Sequence, residues 1–426
     1  MTVAAAPSPA PSADAAAGAT GRFDLVDPDC FRAGHPHAAY DALRRQGPVV
    51  PVEGADGERL WLATDHEAIR AISADSAHFS TARGFRVHTA HRASMDPEIG
   101  KVLSRFMLSM DEPEHAPFRR LVTPFFMPSG IAAVEPLVRQ GVDRLMAGLA
   151  GRDRVEFVEE IGARVPISTI CAIIGVPPED EWRVFEFTNA VFGTDDPELA
   201  PSKAVANERY LAIFDYGWSL LESRRREPRD DVISCIAHAT LPDGRPLSRT
   251  EQVSYFSNLI AAGNETTRSS LSGAIWLLAN HPDQRRALVD DPALIPRAVQ
   301  EILRRFSPVI HMARTATQDV EVGPAQVAAG ERVAMLYGAA NHDPALFADP
   351  YALDIGRANA NRHIAFGYGI HHCLGSRLAM LQLALILEAL LRRFPRYEVV
   401  SDPAYIRSNF VLAMKRLDIS LSPGGR

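Results

Sequence analysis

The segment Phe366-Gly367-Tyr368-Gly369-Ile370-His371-His372-Cys373-Leu374-Gly375 runs directly into an apolar helical pattern from Ser376 to Phe394. It sets a cysteine at a helix start, behind a glycine-rich turn. Glycines let the backbone approach closely and aim N–H groups at the sulfur, and the helix dipole favours negative charge there. The expectation is a stabilised thiolate; the plainer alternative is a buried structural cysteine after a turn. Zinc is a poor reading of His371-His372-Cys373, because contiguous ligands cannot easily surround one ion and no second cluster accompanies them. A second pair, Glu301 and Arg304, stands three residues apart and so shares one helical face. Alone it reads as a surface salt bridge worth a few tenths of a kcal/mol.

These residues need elements to hold them. Ser248 and Glu251 form a capping box, after which a helical pattern runs without proline to Asn280, where His281-Pro282 stops it. At 1.5 Å per residue, those roughly 32 residues span about 48 Å and must cross the molecule. Its middle, Ala261-Ala262-Gly263-Asn264-Glu265-Thr266-Thr267, is a poor helix former, and a distorted groove is expected there. A shorter helix from about Pro296 to Phe306 carries Glu301 and Arg304 and ends at Ser307-Pro308. Alternating strand patterns are few and early, at Val49 to Val52 and Leu60 to Ala63, whereas helical periodicity dominates from Pro136.

Composition narrows the function classes. The 426 residues hold 45 Lys+Arg against 52 Asp+Glu, a net charge of −7, with 46% hydrophobic residues. Mild acidity with dispersed basic residues removes the footprint of a nucleic-acid binder. Cys30, Cys171, Cys235 and Cys373 include no CxxC pair, which fits neither a disulfide scaffold nor a zinc finger and suits a reducing cytoplasm. No apolar run approaches the roughly 18 residues that cross a bilayer, so no integral membrane anchor is expected. Met1 to about Gly21, rich in Ala, Pro and Ser without a positive n-region, reads as a disordered tail rather than a secretory signal. The rest, 22–426, reads as one domain, mostly α with a small β part.

Phe366 to Gly375 resembles the haem-binding signature of the cytochrome P-450 haem-thiolate monooxygenases. Other blocks follow the family's order. Glu301 and Arg304 match its ExxR pair. Asp354-Ile355-Gly356-Arg357 resembles the meander whose arginine joins that pair, and Ala262 to Thr267 looks like the oxygen-binding groove of the long distal helix. Asp111-Glu112-Pro113-Glu114-His115, continuing to Arg119 and Arg120, resembles the helix that contacts a haem propionate in bacterial members. The resemblance implies the cytochrome P-450 fold, a large helical domain with a small β-rich part and a long central distal helix. It also implies haem b, iron protoporphyrin IX with a cysteine thiolate axial ligand.

Carried over by position, Cys373 would ligate the iron. Phe366 would pack near the sulfur side of the macrocycle, and Gly367, Gly369 and Gly375 would permit close approach. His115, Arg119, Arg314 and His371 would meet the propionates. Thr266 would hydrogen-bond bound O2 while Glu265 relays protons; the plainer reading of Thr266 is a back-bond to its own helix. Glu301, Arg304 and Arg357 would form a buried structural network. With 53 residues after Cys373, no flavin or iron–sulfur reductase module is expected, so electrons would come from a ferredoxin and ferredoxin reductase docking on the cysteine side. Two departures from the bacterial pattern stand out, His342 in Asn341-His342-Asp343 and Ala116-Pro117-Phe118, both expected to shift charge on the proximal face.

The activity implied is hydroxylation or epoxidation of a bulky, largely apolar small molecule such as a terpenoid, sterol-like lipid or polyketide. Ring closure or coupling, peroxide-driven oxidation and a non-catalytic auxiliary role are the alternatives. An auxiliary would be expected to lack the thiolate or the acid–alcohol pair, and both are present. The pocket is expected from about Ser80 to Met110, Val184 to Arg225, Val309 to Met312 and the turn at Phe410. Its apolar members Phe85, Val87, Phe187, Val191, Phe192 and Phe410 are interspersed with Arg83, Arg86 and His88.

Overall fold

The computed structural model describes residues 23–54, 57–88 and 96–421. The tail expected over Met1 to Gly21, and residues 89–95 of the expected pocket loop, lie outside them. Among the described residues are fourteen α-helices and a small β part, as the helical periodicity foretold.

The organising element is the helix Arg249–Asn280. Both halves of its capping box are made: the Glu251 N–H donates to Ser248 Oγ at 3.3 Å, and the Ser248 N–H donates to the Glu251 carboxylate at 2.8 Å. From Glu251 to Ile275 every residue is buried except Ala262, Gly263 and Thr266. A helix buried on all sides runs through a core rather than over it. The groove expected from its weak middle is not a break, since the helix is continuous through Gly263. Gly263 serves packing instead: a Cβ there would stand 2.7 Å from Ile170 on the helix Arg164–Ile174, so its absence lets two helices touch.

Two further helices follow their sequence patterns. Ile295–Phe306 ends where Ser307 turns left-handed at φ 46°, and Pro308 prevents continuation. Ser376–Arg393 packs against both this helix and the long one. The five-stranded sheet has the order Val49–Glu53, Arg59–Ala63, Arg332–Leu336, His311–Ala316, Phe79–Ser80. Its pairs are antiparallel except Arg59–Ala63 with Arg332–Leu336. Arg314 stands opposite Val333 in this sheet. All four cysteines are free thiols. Among the described residues no single helix is long and apolar enough to cross a membrane.

Candidate active site

The glycine turn is built as the sequence requires. Gly367 and Gly369 hold φ of 70° and 74°, and a Cβ on Gly369 would fall 2.0 Å from the Ser73 carbonyl oxygen on the helix His66–Ala74. No L side chain suits that position. The Cys373 N–H donates to the Phe366 carbonyl at 2.9 Å, which closes the loop. The Phe366 ring lies 5.7 Å from His363 and 6.3 Å from His372. At Gly375 the backbone leads into the helix Ser376–Arg393, and a Cβ there would meet nothing within 4 Å.

The Cys373 thiol is half-buried, and burial pushes its pKa up, opposed by the Gly375 N–H and by Arg119. Of the thiolate-favouring influences read from the sequence, a backbone N–H aimed at the sulfur is present, and the charge of Arg119 adds another. Desolvation is the largest of these influences and favours the neutral thiol.

Around this loop stand four cationic or potentially cationic side chains. Arg119, on the helix His115–Phe126, donates to the carbonyls of Ile370 at 3.2 Å and His372 at 2.7 Å, stapling the cysteine loop from outside. His115 and His371 bring their rings to 4.5 Å. Arg314 is 4% exposed, and its one hydrogen bond runs to the neighbouring Ala313 carbonyl at 2.9 Å. Among the described residues no carboxylate lies within ion-pair distance of Arg119 or Arg314. The Asp111 carboxylate, whose charge reaches Arg314, is occupied by Ser80 and Thr81, the Thr81 N–H at 2.7 Å, and the Glu112 carboxylate lies 3.4 Å from His115 Nδ1.

The electrostatics show the strain of that arrangement. Burial pulls the pKa of Arg314 and of His115 down. His371 falls to about 2 through burial and the charges of Arg314, His115 and Arg119. Among the described residues the two arginines have no carboxylate partner, whereas His115 has Glu112 beside it; such a pair of arginines forms a site for an anion and suits carboxylates. The sequence-predicted set His115, Arg119, Arg314 and His371 is brought together here. Thr81, whose hydroxyl lies 3.4 Å from His371 Nε2, was not anticipated; no local motif marks it.

On the long helix, Ala262, Gly263 and Thr266 form the accessible window in an otherwise buried stretch. Their spacing of i, i+1, i+4 places them on one face. Thr266 Oγ1 donates to the Ala262 carbonyl at 3.2 Å, the plainer of its two readings, while its side chain remains in the window. Glu265 lies outside the window, fully buried, about 100° around the helix from Thr266. Its carboxylate takes a short bond from Arg268 and one of 3.0 Å from Ser269 Oγ. Arg268 also donates to Asn189 Oδ1 at 3.1 Å. Arg268 escaped the sequence reading, although its i+3 spacing from Glu265 was the available signal.

The Glu301 network is complete. Arg304 Nε and Nη2 donate to the Glu301 carboxylate at 2.7 and 2.8 Å, and Arg357 Nε reaches both oxygens at 3.1 Å. Glu301 and Arg304 are fully buried, so the surface salt-bridge reading is replaced by a core network. His342, expected to alter proximal-face charge, is also fully buried, its ring 4.4 Å from His37 and stacked on Tyr351. Its ring nitrogens meet Arg305 Nη1 and, at 2.7 Å, the Gly338 carbonyl.

Known proteins resemble this chain over most of its length. The cytochrome P450 family model matches residues 212–421. Linalool 8-monooxygenase of Pseudomonas putida is 31% identical over 94% of this chain and 99% of its own length. A methyl-branched lipid omega-hydroxylase of Mycobacterium tuberculosis is 33% identical, covering 90% of each chain. A Mycobacterium marinum cytochrome P450 solved in complex with pseudoionone superposes with a TM-score of 0.84 at 30% identity, over 90% of this chain and 94% of that one.

Proposed function

The chain belongs to the cytochrome P450 family and is a haem-thiolate monooxygenase, and from that premise we propose which residues carry the reaction, where the electrons come from and which substrates it takes. The residues present fit the haem. Arg314 is buried and Arg119 half-buried beside His115 and His371, and among the described residues neither arginine has a carboxylate within ion-pair distance; Gly375 opens onto free space beside the cysteine, and Cys373 is half-buried at a helix start. Cys373 would ligate the iron, and Arg119, Arg314, His115 and His371 would hold the propionates. Phe366, Gly367, Gly369 and Gly375 shape the loop against the macrocycle.

When bound, the haem supplies activation of O2 with two electrons. The protein's part is to deliver protons and exclude bulk water. Thr266 donates its one hydroxyl hydrogen to Ala262, leaving its lone pairs to accept from a proton-bearing water in the window. Glu265 relays protons: released from Arg268 and Ser269, its carboxylate takes a proton from solvent water, turns toward the window and passes that proton to the water held by Thr266, returning to its ionised, Arg268-paired form. Arg268, tethered to Asn189, sets the energy of that movement.

The supply of electrons is assigned to a ferredoxin and its reductase, and the protein to the cytoplasm. Arg120, Arg362 and Arg377 are exposed on the segments that frame the cysteine loop, a suitable face for an acidic partner. The substrate is a bulky, largely apolar molecule, a terpenoid or methyl-branched lipid. Aromatic rings support this: Phe410 meets Phe85 at 5.9 Å and Phe192 at 6.3 Å. The observation that carries the proposal is the accessible window at Ala262, Gly263 and Thr266 in a chain that also presents the Cys373 loop. Reconstitution with ferredoxin, ferredoxin reductase and NADPH over a terpenoid and branched-lipid panel tests it. Products one oxygen atom heavier are expected; NADPH-dependent turnover without a protein partner would overturn the electron-supply assignment.

A further inference from the structure

Residues 84–87 are strapped to the sheet one after another. Arg332 donates to the carbonyls of Gly84 at 3.0 Å and Arg86 at 2.9 Å, and the Ala313 N–H donates to the Phe85 carbonyl at 2.6 Å. The Val87 N–H donates to His311 Nε2 at 2.9 Å, and Asn409 reaches the Val87 carbonyl at 3.3 Å. A segment held at four successive residues places its side chains reproducibly.

What it places is a cation among apolar groups. The Arg86 guanidinium lies 5.3 Å from the centroid of the Phe410 ring. That ring is 7% exposed and packs on Phe85, Phe192 and His311. Arg86 is half-buried, and its charge reaches two buried groups, Tyr210 and His311. Among the described residues no Asp or Glu lies within ion-pair distance of it. Residues 89–95, Thr-Ala-His-Arg-Ala-Ser-Met, contain no acid either. A cation–π contact engages one face of a guanidinium and leaves its five N–H donors in the plane. The chemistry that completes such a group in an apolar site is a carboxylate, bound in the plane through two parallel bonds.

We propose that Arg86 receives the carboxylate of the substrate, so that the natural substrate is an apolar acid, a terpenoid acid or methyl-branched fatty acid, oxidised at a carbon remote from its acid end. The inference rests on the monooxygenase reading and deepens it. The acid end lies at Arg86, and the chain runs past Phe85, Phe192 and Phe410 toward the window at Ala262 and Thr266. A neutral terpenoid leaves Arg86 unpaired and binds more weakly.

The test uses farnesoic acid and farnesol, which share a chain and differ at one end. Binding to the holoenzyme is measured by the haem absorption shift and by calorimetry. The wild type is expected to bind the acid about tenfold or more tightly than the alcohol. Arg86→Gln should remove that preference by weakening the acid alone, Arg86→Leu should do the same, and Arg86→Lys should keep part of it. Equal affinity for acid and alcohol in the wild type, binding of neither, or an acid preference that survives in Arg86→Gln overturns the inference. The reduced carbon-monoxide spectrum of each variant separates the two levels: loss of the haem-thiolate band in the wild type sinks the monooxygenase reading, whereas an intact band with no role for Arg86 sinks this inference alone.

Discussion

Arg314 offers a test in which two measurements should move in opposite directions. It is 4% exposed, among the described residues its side chain hydrogen-bonds to the Ala313 carbonyl alone, and burial already lowers its pKa. Without haem it is a buried cation, and burial together with its charge and those of His115 and Arg119 holds His371 down at about 2. Replacing such a charge with an apolar side chain of similar length is commonly neutral to stabilising, by about 1–3 kcal/mol. Arg314→Met should therefore raise the urea midpoint of the haem-free chain. With haem bound, the same change strips a propionate of its buried partner, which costs about 2–4 kcal/mol. That is roughly 30-fold to 1,000-fold faster haem transfer to an excess of an apo-globin acceptor. A variant that merely damaged packing would lose on both measures. Wild-type haem transfer, or a haem-free chain weakened along with the holoenzyme, would refute the assignment of Arg314 to a propionate.

Thr266→Ala should bind haem, substrate and O2 yet release its reducing equivalents as hydrogen peroxide, lowering product per NADPH; unchanged coupling would remove Thr266 from proton delivery. Glu265→Gln should slow overall turnover while leaving haem content intact, checked by NADPH oxidation rate at saturating substrate. Arg304→Ala leaves the Glu301 carboxylate buried with one of its two arginines and should cost about 3–5 kcal/mol, read as the loss of folded, haem-loaded protein on expression. Burial holds His35 and His363 at about 4, His311 at about 3, and His37 and His342 well below the ordinary imidazole value. All five are neutral when folded and take up protons on unfolding, so their contribution is fully present above about pH 6.5. It falls as pH drops toward the depressed values, by about 1.4 kcal/mol per pH unit for each histidine. The urea midpoint should decline steeply between pH 6.5 and pH 5, and a flat profile across that window would contradict neutral burial.

Local signals made much of this legible. The capping box at Ser248 and the stop at His281-Pro282 bracket the long helix because both are chemistry of a few adjacent residues. The cysteine loop was legible for a similar reason, since its glycines serve positive φ and contact with Ser73. What the sequence hid depends on contacts distant along the chain. Gly263 looked like a helix breaker, yet its cause is Ile170, about ninety residues earlier. His342 looked like a change in surface charge, yet it is buried against His37, Tyr351 and Arg305, and the last two lie hundreds of residues along the chain from His37. The ionisation of Cys373 was read from helix dipole and N–H groups alone, and burial, which no motif encodes, tips the balance. The acid–alcohol pair was legible as residue types, but their division between a buried ion pair and an open window follows from which helix faces are covered.

The central claim is that Cys373 supplies the sulfur ligand of a bound haem. The most direct measurement is the absorption spectrum of the dithionite-reduced, carbon-monoxide-treated protein for the wild type, Cys373→Ser and Cys235→Ser. The account predicts the red-shifted band diagnostic of haem-thiolate ligation in the wild type and in Cys235→Ser, and its disappearance in Cys373→Ser. A wild-type spectrum without that band, or a band that persists in Cys373→Ser, would contradict it.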